Sequence, residues 1–395
     1  MSDLAINGGT PVREAMLPYG KQTIEQDDIE AVTNALQSDF LTTGPEISAF
    51  EKEFASFVGT AEGVAVSNGT VSLHTIMNAI DVQPGDEVIV PTMTFIATAN
   101  SVLMQGGTPV IADVQPGTLL LDPTDVEKKI TDKTKAVVAV DYAGQPCDYD
   151  ELRALCDKHN LVLIDDAPHA LGGTYKGKSV GTLADLNSFS FHPVKAITTG
   201  EGGMITIDNA DFAERMRKFR NHGISKTAEQ RQSQDTWEYE IHDLGYNYRL
   251  TDVQCALGRS QLKKLPQWVA RRQEIAAKYD EAFANISGVT PLTQKEDRTS
   301  GRHLYVVLVD PDVLSVGRKE VFEALRAEGI GVNVHYIPVH MQDLYKKKLG
   351  TKEGMCPVAE DAYSRMITLP LFTKMTDEDV RDTIKAVEKV CAAYS

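Results

Sequence analysis

Three things are scarce in this 395-residue chain, and each scarcity removes a class of protein. Basic charge is the first. The 40 Lys and Arg residues stand against 56 Asp and Glu, a net charge of -16, so no broad basic face is available to neutralise a nucleic-acid backbone. Paired cysteines are the second: Cys147, Cys156, Cys255, Cys356 and Cys391 are odd in number and scattered, with no C-x-x-C pair. That pattern excludes a disulfide framework and a structural zinc site, and it reads as buried thiols in a reducing compartment. The third is apolar length, since no segment reaches the roughly 18 apolar residues of a spanning helix. Internal repeats and low-complexity tracts are lacking too. The opening residues 1–7 carry no basic stretch followed by an apolar one, and a cytoplasmic protein with no membrane partner is expected.

What is present is alternation. Short apolar runs at 63–66, 87–90, 109–112, 136–140 and 161–164 are rich in β-branched residues and too short for helices, so they predict buried strands. Amphipathic segments lie between them, such as 148–160 with Leu152, Leu155 and Cys156 on one face. Strand–helix alternation predicts an α/β fold with a mostly parallel sheet whose ligands bind beyond the strands' carboxyl ends. After about position 250 the pattern changes to helices over 251–265 and 267–285, then a strand–helix–strand set at 303–309, 318–328 and 332–336. A last helix over 377–392 follows, capped by Thr376. Two domains are expected, 1–260 and 261–395.

The chemistry gathers at three places. The run at 161–164 leads into Asp165 and Asp166, then Ala-Pro-His169, which places carboxylates at a strand's carboxyl end. About thirty residues on, the expected strand 187–191 leads into His192-Pro-Val-Lys195 and a glycine-rich turn. A lysine presented this way suits an amine of lowered pKa, as Schiff-base chemistry requires, with Ser190 able to offer a hydroxyl to a phosphate. The third place is Val66-Ser-Asn-Gly-Thr70, a small polar turn opening a helix over 71–79. Free amides at a helix start cradle phosphate, yet this turn is neither a P-loop nor a dinucleotide fingerprint.

Longer motifs surround these places: Gly85-Asp-Glu-Val-Ile-Val-Pro91, Thr94-Phe-Ile-Ala-Thr-Ala-Asn100, Asp165-Asp-Ala-Pro-His-Ala-Leu-Gly172, Ser190-Phe-His-Pro-Val-Lys195, Gly200-Glu-Gly-Gly203 and Gly245-Tyr-Asn-Tyr-Arg-Leu-Thr-Asp252. Across almost the whole chain the sequence resembles the DegT/DnrJ/StrS family of sugar-nucleotide aminotransferases. The resemblance implies the fold type I architecture of pyridoxal-phosphate enzymes: a large domain with a mixed, mostly parallel seven-stranded sheet flanked by helices, and a smaller C-terminal α/β domain. It also implies that Lys195 holds pyridoxal 5'-phosphate and moves the proton, that Asp166 pairs with the pyridine nitrogen, and that Phe95 stacks on the ring. Gly69, Thr70 and Ser190 would bind the phosphate, and His169 would lie beside the ring. Asn247 would reach the phosphate of a partner subunit, making a homodimer with shared sites. Relatives that deoxygenate the sugar have His at the lysine position, so Lys195 favours transamination.

Within the family, Phe219-Arg-Asn-His-Gly-Ile-Ser-Lys226, His303-Leu-Tyr-Val-Val307 and His335-Tyr-Ile-Pro-Val-His340 are most similar to the branch acting in pseudaminic acid synthesis. That branch aminates C4 of a UDP-linked 4-keto-6-deoxy-N-acetylhexosamine with L-glutamate as donor. The alternatives are another 4-keto or 3-keto sugar nucleotide, GDP- or dTDP-linked, or a non-catalytic regulatory member of the same fold. Tyr19, Thr43, His335, Tyr336 and His340 are the expected sugar-nucleotide contacts, and Arg249 is the candidate for glutamate's carboxylates. The H-x-x-x-x-H spacing of His335 and His340 lacks the helical geometry of a zinc site, and no metal is expected.

Overall fold

The computed structural model describes residues 3–226 and 235–395. The apolar runs form one seven-stranded sheet: β1 (Glu62–Val66), β2 (Glu87–Pro91), β3 (Thr108–Ala112), β4 (Thr134–Val140), β5 (Val162–Asp166), β6 (Leu186–Ser190) and β7 (Gly203–Ile207), in the spatial order β1-β7-β6-β5-β4-β2-β3. Strand β5 lies between β4 and β6, parallel to both, with Val140 and Ser188 opposite Asp166. Only β7 runs against its neighbours, β1 and β6. The other six strands therefore end at one edge, where Val66, Val140, Asp166 and Ser190 are their last residues. The strands are buried on both faces, which is why they read as continuous apolar runs rather than alternating ones.

Helices cover the sheet. Gly69–Ala79 packs on β6 and β7, and its start is fixed by Asn68, whose side chain accepts from the Val71 amide at 2.9 Å. Ala97–Met104 lies beside it. Among the described residues no helix is long and apolar enough to cross a membrane.

The C-terminal part departs from expectation in two ways. The two helices expected over 251–285 are one, Asp252–Phe283, with Pro266 inside it. Proline removes one helical N–H, but buried Leu262, Leu265, Trp268 and Val269 pack on both sides of it and hold the helix through the break. The boundary expected at 260/261 falls inside this helix. The segment 332–336 is not a strand. Only Asn333 pairs, exchanging both backbone bonds with Thr368, before the chain turns toward Pro338.

The strands there are β8 (Val289–Pro291), β9 (Tyr305–Val309) and β10 (Met366–Leu369), with β9 central and both pairings antiparallel. They build a second apolar core with the helices Arg318–Ala327 and Asp377–Tyr394, the latter capped by Thr376. Leu4 and Leu17 from the N-terminal segment also belong to this second core.

Candidate active site

A cavity of about 650 Å³ opens beyond the carboxyl ends of β4, β5 and β6. Strand polarity decides this, because the last residues of β4, β5 and β6 (Val140, Asp166 and Ser190) and the start of the helix Gly69–Ala79 converge there. Ten of the residues singled out in the sequence line it. Gly69, Thr70 and Ser190 form one end, Asp166, Lys195 and Phe95 the middle, and His169, Tyr19, His335 and Tyr336 the far side.

The phosphate end is built by close approach. A Cβ at position 69 would lie 2.7 Å from the Cβ of Ser190, and one at 203 would lie 2.6 Å from the Asn68 carbonyl oxygen. Glycine at both positions lets the turn press down on β6 and β7, and of the first helical amides the Asn68 side chain and carbonyl take Val71 and Ser72, leaving Gly69 and Thr70 for the cavity. Those amides and the two hydroxyls of Thr70 and Ser190 are donors suited to an anion.

Asp165 and Asp166 end β5 with side chains on opposite faces, as the pleat requires. Asp166 enters the cavity, where its Oδ2 accepts from the Thr98 hydroxyl at 2.6 Å. Burial pushes its carboxyl up to about 6, with Thr98 and then Lys195 pulling it back. Asp165 is fully buried away from the cavity and is pushed well above the usual carboxylate range by burial and by Asp141. Among the described residues Lys195 is the one lysine or arginine lining the cavity. Burial depresses its amine to about 8, opposed by Asp166. An amine so placed is a nucleophile and base near neutral pH.

The far side is a cluster of uncharged imidazoles. His169 Nε2 lies 3.2 Å from the Tyr336 hydroxyl, and its ring is 4.4 Å from that of His303. Burial first, then Lys195, holds both rings well below the ordinary histidine range. His335 is held at about 4 by burial and by Lys195. Its Nδ1 lies 3.0 Å from Thr368 Oγ1 and its ring 5.2 Å from that of Tyr19. Phe95 is 55% exposed, its ring 5.9 Å from that of Tyr336, an apolar face free to cover a planar group.

Four expected residues are not brought together with these. His340 does not reach the cavity: it is fully buried, with Nδ1 2.6 Å from Thr92 Oγ1 and Nε2 2.8 Å from Glu360 Oε1. The short turn Val339–Met341 after Pro338 carries it away from Tyr336, so its role as a sugar-nucleotide contact is withdrawn. Thr43 is exposed on the loop beside the Thr42–Thr251 bridge, and it does not line this cavity. Asn247 pairs with Asn221 in a backbone bridge, and Arg249 donates to the Asn221 side chain at 2.6 Å. Neither lines the cavity of its own chain.

Thr98 and His303 were not singled out as site residues. Thr98 lies within a motif, four positions after Thr94, but only the fold brings it to Asp166. His303 opens the motif His303-Leu-Tyr-Val-Val307, but only the fold brings its ring to Lys195. The residues present fit pyridoxal phosphate: a cradle that a Cβ would fill, a half-exposed aromatic face, a buried carboxylate, and an amine of lowered pKa.

The DegT/DnrJ/EryC1/StrS aminotransferase family pattern matches residues 22–388. The spore coat polysaccharide biosynthesis protein SpsC of Bacillus subtilis is 42% identical over 381 residues, 96% of this chain and 98% of the relative. Two solved structures are each 34% identical and cover 96% of this chain and 100% of their own. One is the putative sugar aminotransferase Spr1654 from Streptococcus pneumoniae in its PMP form, with a TM-score of 0.91. The other, with a TM-score of 0.90, is Helicobacter pylori PseC, an aminotransferase involved in the biosynthesis of pseudoaminic acid.

Proposed function

This chain belongs to the DegT/DnrJ/EryC1/StrS aminotransferase family, and on that premise we propose that it carries the amino group of L-glutamate to C4 of a UDP-linked 4-keto-6-deoxy-N-acetylhexosamine, a step of pseudaminic acid synthesis. The carrying observation is one cavity lined by an amine held at about 8, a buried carboxylate and a half-exposed aromatic ring. Similarity to PseC over 96% of the chain supports the choice of sugar. Similarity to SpsC supports a second reading, the same chemistry on another keto sugar nucleotide.

Pyridoxal phosphate, the cofactor, supplies an electron sink when bound. Lys195 Nζ would hold it, and once released would take and return the proton at the reacting carbon. Asp166, kept ionised above about pH 6, would bind and orient the ring through its nitrogen. Gly69, Thr70 and Ser190 would anchor the phosphate, Phe95 would cover one face, and His169 would bound the site as an uncharged wall.

Among the described residues the cavity's lining offers a sugar diphosphate no lysine or arginine beyond Lys195, which would hold the cofactor, and it carries the acidic Asp166 and Glu201. We place the missing donors on a second copy of the chain, Asn247 reaching the phosphate and Arg249 the carboxylates of glutamate. The segment before them exposes Trp237, Ile241 and Leu244, apolar surface suited to burial between two copies. Five unpaired buried cysteines suit a cytoplasmic enzyme. The test is a panel of UDP-, GDP- and dTDP-linked keto sugars with L-glutamate, scored by mass spectrometry of the aminated product. Turnover confined to GDP- or dTDP-linked sugars would move the substrate, and turnover of none would end the proposal.

A further inference from the structure

His303 precedes β9 and has its ring buried at the wall of the cavity. Its Nε2 is 3.4 Å from Lys195 Nζ, and its Nδ1 is buried with no hydrogen-bond partner. Behind it lies Arg272, buried on the helix Asp252–Phe283 and without an acidic partner among the described residues. Its Nη1 donates to the Leu371 carbonyl at 3.1 Å and to the Arg302 carbonyl at 3.4 Å. The Arg302 carbonyl belongs to the peptide link directly before His303. Burying a guanidinium with no carboxylate is unfavourable, so the arrangement is not a packing convenience.

We propose that His303 is the positioning residue for Lys195: its Nε2 accepts an N–H of Nζ and steers the released amine, and Arg272 clamps the peptide link that presents the imidazole. The groups that face the ring all act in one direction. After burial itself, Lys195, His169, Arg272 and His335 each oppose its protonation, and among the described residues no carboxylate is paired with it. With its proton on Nδ1, the uncharged ring is an acceptor at Nε2. A lysine amine that donates one N–H to His303 keeps its lone pair turned toward the cavity, while the Asp166 carboxylate favours its charged form. No bond to carbon and no net proton transfer is involved. The role is directional: removing the acceptor costs the charged amine more than the neutral one.

This rests on Lys195 being the reacting amine, and the test reads that amine directly. In protein loaded with pyridoxamine phosphate, where Lys195 is free, the rate of its acylation by an amine-reactive reagent is followed against pH by mass spectrometry of the Lys195 peptide. His303→Leu should lower the pH midpoint by about one unit, since a hydrogen bond to a charged group is lost. His303→Gln, which keeps an acceptor, should restore most of it, and kcat should follow the same order while KM changes less. A midpoint unmoved in His303→Leu, or lowered equally in His303→Gln, overturns the proposal.

If His303→Leu does not fold, nitrogen NMR of labelled histidine in the unmutated protein decides. The Nε2 signal of His303 should move as Lys195 titrates and stop moving in Lys195→Met, and a signal indifferent to Lys195 overturns the proposal. Failure of the functional reading would show differently, as no aminated sugar from any substrate with Lys195 still titrating low.

Discussion

Thr98 Oγ1 donates to Asp166 Oδ2 at 2.6 Å while lying 2.7 Å from the hydroxyl of Thr94. A buried carboxylate is held ready to ionise by a hydroxyl that is itself held by a neighbour. Thr98→Val removes the donor and keeps the shape, so the carboxyl should rise further and the cofactor should dissociate about tenfold faster, in line with one lost hydrogen bond to a charged group. Thr98→Ser should behave as the unmutated protein. Decay of the bound cofactor's visible absorbance after dilution reads both.

Asp166 also sets a pH dependence. Its carboxyl is pushed up to about 6, chiefly by burial, so in cofactor-free protein the charge that would meet the ring nitrogen is lost below that pH. Cofactor affinity should fall as pH drops through about 6. Stability runs the opposite way. Between the ordinary carboxylate range and about pH 6 the native state holds a proton that the unfolded chain has released. Asp166's contribution is therefore complete below that range and lost as pH rises through about 6. Asp166→Asn should flatten both curves, measured by cofactor titration and by denaturant unfolding at a series of pH values.

Gly69 has no room for a side chain, since its Cβ would sit 2.7 Å from that of Ser190. Gly69→Ala should push the turn off β6, raise the cofactor's Kd by about tenfold or more and cost about 1–3 kcal/mol of stability, the usual effect of overpacking. Equilibrium dialysis and thermal unfolding separate the two effects.

Much of this was legible in the sequence, and the boundary of legibility has a physical basis. Runs of β-branched residues mark β1 to β5 because buried parallel strands need apolar side chains on both faces. Asp166 and the turn at Gly69 and Thr70 could be read because they end or follow such strands, and Ser190 because its strand leads into Lys195; strand ends are where a parallel sheet puts its ligands. Contacts made across the fold have no such mark. Thr98 meets Asp166, and His303 meets Lys195, only through tertiary packing. His340 misled because it sits four positions after Tyr336, yet the turn at Val339–Met341 turns it inward. β7 was not singled out, since its first residue, Gly203, reads as the end of a glycine-rich turn.

His340 now belongs to the scaffold, bridging Thr92 and Glu360. His340→Leu leaves the buried Thr92 hydroxyl without its imidazole partner, while Glu360 keeps the Gly354 and Cys356 amides, and should lower stability by about 1–3 kcal/mol. The folded fraction should keep its kcat/KM for the sugar substrate. A large loss of kcat/KM with unchanged stability would return His340 to the site.

The most direct measurement follows the nitrogen itself. The protein is loaded with pyridoxal phosphate and given nitrogen-15 L-glutamate with a UDP-linked 4-keto-6-deoxy-N-acetylhexosamine, and the sugar product is examined by mass spectrometry and NMR. The label should appear on C4 of the sugar, with one 2-oxoglutarate formed per amine and no transfer in Lys195→Ala. Unlabelled sugar recovered alongside intact glutamate, from holoprotein whose cofactor band is present, would contradict the assignment.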